Sequence, residues 1–175
     1  MFTIVHLHLL LNHVPIIVSA LGLVLIALAA WRRDDSLGRV ALTFFVAGAL
    51  SALPTYLTGE GSEDAVKNLP GVTEVLIDQH SEIALIAAIV VGILGAFALW
   101  ALWRYRRTAM LPRFVVRVTL AGALVGSGLM AYTGLLGGQI RHTEVRGDSI
   151  QGKGETGGIV RDSVRGQAAA RASVP

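Results

Sequence analysis

Ile83-Ala-Leu-Ile-Ala-Ala-Ile-Val-Val-Gly-Ile-Leu-Gly-Ala-Phe-Ala-Leu-Trp-Ala-Leu-Trp103 runs for 21 residues without one charged side chain. A helix of about 20 apolar residues crosses a hydrocarbon core roughly 30 Å thick, so this stretch alone predicts a membrane span. Three further stretches read the same way: about 7–31, 37–58 and 114–138. The chain is 53% hydrophobic and only 15% charged, with a mean hydropathy of +0.62. That balance does not suit an ordinary soluble domain. Barrel strands would alternate apolar with polar residues, and these runs are continuous. Lipid offers the backbone no hydrogen-bond partners, so the segments are expected to be helices. The expected fold is all-α, an integral membrane four-helix bundle over 1–146 followed by a polar tail, 147–175, without apolar periodicity.

The arginines set the expected threading. The connection 31–39 carries Arg32, Arg33 and Arg39, and the connection 104–113 carries Arg104, Arg106, Arg107 and Arg113. The loop between the second and third spans has Lys67 against five acids between Glu60 and Asp78. Positive connections stay cytoplasmic, which puts both termini and the acidic loop outside. Arginines in the tail oppose this assignment. The first span has no Lys or Arg before it and is too long for a signal core, so it reads as a retained span. Basic residues used as topology determinants do not argue for nucleic acid. Cysteine is lacking, which removes thiolate metal sites, disulfides and covalent c-type haem.

On this threading all five histidines, His6, His8, His13, His80 and His142, fall at the outer ends of spans. Glu60, Glu63, Asp64, Asp78, Glu82 and Glu144 lie at the same depth. On one helix His6 and His13 share a face and His8 points elsewhere. A histidine within lipid is costly unless it faces the bundle and has a partner. Imidazoles from different helices at one depth suit the two axial positions of a b-type haem. The expected axial pair is His13 and His80, with His8 or His142 as substitutes. Imidazole with carboxylate also suits iron, zinc or copper, which would draw on Glu60, Glu82 and Glu144. A third expectation is a structural subunit of a membrane complex; Gly122 and Gly126, at GxxxG spacing, suit close packing inside one bundle or a homodimer face. No HExxH or Ser-His-Asp arrangement points to a particular catalysis. Gly137-Gly138 after the last apolar run is read as a helix stop, letting His142 and Glu144 fold back over the bundle mouth. Helix pairs one–two and three–four share a layout, yet no repeat strong enough to argue internal duplication stands out.

Around these residues the chain resembles a largely uncharacterised family of bacterial four-helix inner-membrane proteins. The resemblance rests on His8-Leu-Leu-Leu-Asn-His13-Val-Pro15 as H-x4-H-x-P, His80 entering the third helix, and Gly137-Gly138-Gln-Ile-Arg141-His142-Thr-Glu144. It covers about residues 6–146. Leu9 stands where many members have proline. Relatives fused to Rieske or c-type cytochrome domains imply redox work and a haem. The leading expectation is a redox module at the outer face, with an extracytoplasmic cytochrome or other redox protein as partner.

Overall fold

A computed structural model of the chain describes residues 3–67 and 72–142. Its helices are α1 (Ile4–Leu11), α2 (His13–Arg32), α3 (Asp35–Glu60), α4 (Glu63–Lys67), α5 (Glu74–Arg104) and α6 (Arg113–Arg141). With α1 and α2 taken as one broken span, four helices are long and apolar enough to cross a membrane. The break at Asn12 follows from Pro15, whose ring nitrogen cannot donate to the Leu11 carbonyl. Thr55 of α3 fills that gap: its hydroxyl reaches the Leu11 carbonyl at 3.3 Å while also bonding its own helix at Ser51 O, 2.8 Å. Thr55→Val should therefore lower the melting stability in detergent by about 1 kcal/mol, the scale of one interhelical hydrogen bond in a membrane protein. Thr55→Ser should restore it, and a thermal melt of the purified protein checks both.

Two boundaries differ from the sequence reading. The third span begins at Glu74, not near residue 83, so Asp78, His80 and Glu82 stand inside a helix. Glu74, an exposed acid in the first turn, complements its N-terminal dipole. The last span does not stop at Gly137-Gly138 but continues to Arg141. Gly137 serves there as a site of close approach, described below. At the arginine-bearing end, α2 closes on Arg33 in the left-handed region (φ 56°), and Asp34 caps α3 by accepting from Leu37 N at 3.0 Å. The short helix α4 follows Ser62 in the loop between the second and third spans. Ser62 itself is buried and donates to Thr58 O at 2.6 Å, pinning the turn to α3.

Helix α2 packs on α3 and α6, and α5 packs on the same two, so the four form a square ring. Association without a hydrophobic drive requires close backbones. Gly22 lies under the Phe45 ring, where an added Cβ would come within 2.8 Å. Gly122 and Gly126 face Leu94 and Val91 of α5, so the GxxxG face is internal packing rather than a dimer seam within this chain's described residues. Gly92 of α5 faces open space.

The ring also contains a repeat, contrary to the reading of the sequence. The buried residues of α2 are Pro15, Ser19, Gly22, Ile26 and Ala29. Each has a buried counterpart 72 residues on in α5: Ala87, Val91, Leu94, Ala98 and Ala101. In α3, Gly38, Ala41, Phe45, Gly48, Ala52 and Thr58 match buried Val116, Thr119, Ala123, Gly126, Met130 and Leu136 of α6, 78 residues on. The two halves are thus helical hairpins of the same burial phase running the same way, as in parallel membrane repeats related by an axis along the membrane normal.

Candidate functional site

The repeat places two histidines in equivalent positions. His8 of α1 and His80 of α5 stand 72 residues apart, in register with the matched buried positions. Each leans on the helix that follows it in its own half. His8 Nδ1 lies 3.1 Å from Thr55 O, and His80 Nδ1 lies 3.0 Å from Thr133 O. Thr55 and Thr133 are themselves the matched pair on α3 and α6, 78 residues apart. A carbonyl oxygen can only accept, so each Nδ1 is the donor and carries the hydrogen. Each Nε2 is then the atom left with a lone pair, the form in which imidazole binds a metal.

Glycine makes room for both rings. A Cβ on Gly59 would meet His8 Cε1 at 3.0 Å, and a Cβ on Gly137 would meet His80 Cε1 at 3.0 Å. Each glycine follows its threonine by one turn, so each half holds a histidine between a threonine carbonyl and a bare backbone. Both rings are half-buried. Small and flexible side chains, Ala52, Ala87, Val91 and Met130, form the buried core at this end. The aromatic and larger aliphatic residues, Phe45, Leu42 and Ile26 among them, belong to the core toward the arginines.

The remaining sequence candidates do not join this pair. His13 opens α2 just past the break and is exposed, as is His6, whose ring bonds Thr3 Oγ1 at 2.7 Å in a capping box. The shared face of His6 and His13 is therefore the outward one, and His8 points inward. His142 ends α6 in an extended conformation and is exposed, with its backbone N bonded to Gly138 O at 3.0 Å. Glu60 is exposed and accepts from the Tyr56 hydroxyl at 2.8 Å, and Glu82 is exposed on α5. Among the described residues no three His, Asp or Glu side chains are arranged to hold a metal ion. Glu144, and with it the fold-back over the bundle mouth, lies outside the described residues. The sequence did carry a sign of the threonine–glycine pairs, in Thr55-Tyr-Leu-Thr-Gly59 and Thr133-Gly-Leu-Leu-Gly137. It is visible only once His8 and His80 are aligned.

Four helices long and apolar enough to cross a membrane, packed in a ring with one half-buried histidine per half at a common end, define a multi-pass membrane protein. A family model described as Predicted membrane protein (DUF2231) matches residues 5–146, and the chain belongs to that family. No curated protein and no solved structure matches it.

Proposed function

We propose that this chain is an electron-transfer module that holds one b-type haem between His8 and His80. One observation carries the reading: two imidazoles, in equivalent positions of a repeated hairpin, each have Nδ1 held by a threonine carbonyl and Nε2 left to coordinate. A carbonyl bonded to the far nitrogen is the usual outer-shell device that orients a ligating histidine and raises its basicity. Haem iron so held exchanges single electrons, and it needs no cysteine. The donor set fits: two neutral imidazoles from different helices, with small side chains beneath them. The protein's own part is to orient both rings, bury them and exclude bulk water. The lack of further histidines in the arginine-bearing half favours exchange with a partner at one membrane face over a two-haem path across the bilayer. Arginine placement favours that face being extracytoplasmic in a bacterial plasma membrane, with a soluble cytochrome or other redox protein as partner.

The test is a reduced-minus-oxidised visible spectrum of detergent-purified protein made with haem available, alongside metal analysis of the same sample. A Soret shift is expected in the wild type and in His13→Ala. It should be lost in His8→Ala and in His80→Ala, with helix content unchanged by circular dichroism. A colourless protein carrying stoichiometric iron, zinc or copper would replace this reading with a non-haem metal site. Colourless, metal-free protein would sink both.

A further inference from the structure

The two halves differ most at the end away from the histidines. Both descending helices finish on the same pair of residues, Trp31-Arg32 and Trp103-Arg104, again 72 apart. The first half then turns at once into Arg33-Asp34-Asp35, two acids next to the arginines in sequence, though neither lies within ion-pair distance of them. The second continues as Tyr105-Arg106-Arg107, with no acid before α6 begins. Trp103, Arg104, Arg106, Arg107 and Thr108 line a hollow of about 320 Å³ at this corner. None of its three arginines has a carboxylate within ion-pair distance among the described residues, where the only such pair is Lys67–Asp64.

The corner is held in shape. Arg106 sits over the Trp103 ring, 5.0 Å from its centre, and donates to Trp103 O at 2.7 Å. Arg104 lies 5.3 Å from the centre of the Tyr105 ring. Thr108 Oγ1 lies within hydrogen-bond distance of the carbonyls of Tyr105 and Met110, and Arg39 reaches across from α3 to Thr108 O at 2.7 Å. Trp103 is 61% exposed at the end of an apolar helix, where an indole rests at the headgroup level of a bilayer. Guanidinium donors are therefore gathered at headgroup depth, against a surface that acyl chains must cover.

We propose that this hollow binds the phosphodiester headgroup of an anionic phospholipid, its acyl chains lying along Trp103 and the outer face of α5. Arg106 and Arg107 supply charge and donors to the phosphate, and Arg104 closes the near side. Arginine forks match phosphate oxygens, and basic clusters at the end of a span attract acidic lipid. A zwitterionic headgroup brings an ammonium into the same field and binds more weakly. The corner at Trp31 has the aromatic residue and the arginines but also the two acids, and serves as an internal control.

Native mass spectrometry of the full chain in detergent, titrated with phosphatidylglycerol and with chain-matched phosphatidylcholine, reads this directly. The wild type should hold phosphatidylglycerol in preference. Removing two charges with Arg106→Gln/Arg107→Gln should weaken that binding about thirtyfold, on the scale of charges at a membrane surface. Arg32→Gln/Arg33→Gln should leave it within about twofold. Equal binding of the two lipids would overturn the proposal, as would an equal loss in both double variants, which would make the effect a general basic belt. Displacement by inorganic phosphate at concentrations matching the lipid would assign the hollow to a soluble anion instead.

Discussion

Gly95→Leu should dismantle the bundle. At this point α5 runs against α3 so closely that a Cβ on Gly95 would overlap the Ala49 side chain and come within 3.0 Å of Phe45 O. The obstacle is largely backbone, which cannot swing aside as a side-chain tip can. To admit leucine the two helices must separate along the seam that also seats Phe45, among the largest fully buried side chains. Overpacking a soluble core costs about 1–3 kcal/mol. Here the loss should reach or exceed the top of that range, because helix association in lipid depends on close contact rather than on a hydrophobic drive. The expected result is a purified protein that keeps its helix content but loses its cooperative melt in mild detergent. A melting temperature within a couple of degrees of wild type would refute the account. The repeat supplies the contrast: Leu23 is the counterpart of Gly95, and Ser127 the counterpart of Ala49. The α2–α6 seam thus lacks the glycine, and Ser127 Oγ crosses it to Ser19 O at 3.2 Å.

Gly59→Val and Gly137→Val should each abolish the paired-imidazole site while leaving the bundle folded. In both positions the glycine sits against the edge of a ring whose Nδ1 is fixed by the threonine one turn earlier. A branched side chain must turn the ring about that hydrogen bond or break it, and either outcome moves Nε2. Removing an orienting partner of a metal ligand typically costs about 10–100-fold in affinity, and a displaced ligand should cost at least as much. On the proposed haem reading, the haem retained after purification, measured against protein, should fall accordingly in either variant. Circular dichroism should match wild type, since both sites lie at helix ends. Because the halves repeat, the two variants should do equal damage. A large loss in one and none in the other would mean that only one histidine is a ligand.

The number of spans, their rough extents and the crowding of histidines at one end were legible because they depend on composition along the chain. Which histidine faces inward was not. A soluble helix shows its buried side by contrast with a polar one, but around His8 and His13 nearly every neighbour is Leu, Ile or Val. The phase of the helix, and so the choice of His8 over His13, is set by where Pro15 and Ser19 pack. The repeat was hidden for a related reason. Matched buried positions share location but not residue type, as with Ser19 and Val91 or Gly22 and Leu94. The offset also changes from 72 to 78 between the helices, because the second hairpin has the longer turn. Gly137-Gly138 looks like a helix stop by local preference, yet the need to admit the His80 ring uses the first of these glycines within a helix that runs on.

Pro15 removes one backbone hydrogen bond close beneath His8, and no proline stands at the matching place beneath His80. His80 rides on a helix of 31 residues without interruption, so tilting its ring outward means bending or shifting all of α5. His8 rides on α1, which runs on into α2 through Asn12 in helical conformation (φ −59°, ψ −28°), and α1 touches mainly α3. Thr55 bridges the gap that Pro15 leaves: its hydroxyl bonds Leu11 O and its carbonyl accepts from His8 Nδ1. The first half is thus held at its histidine by α3 where the second is held by its own unbroken ladder.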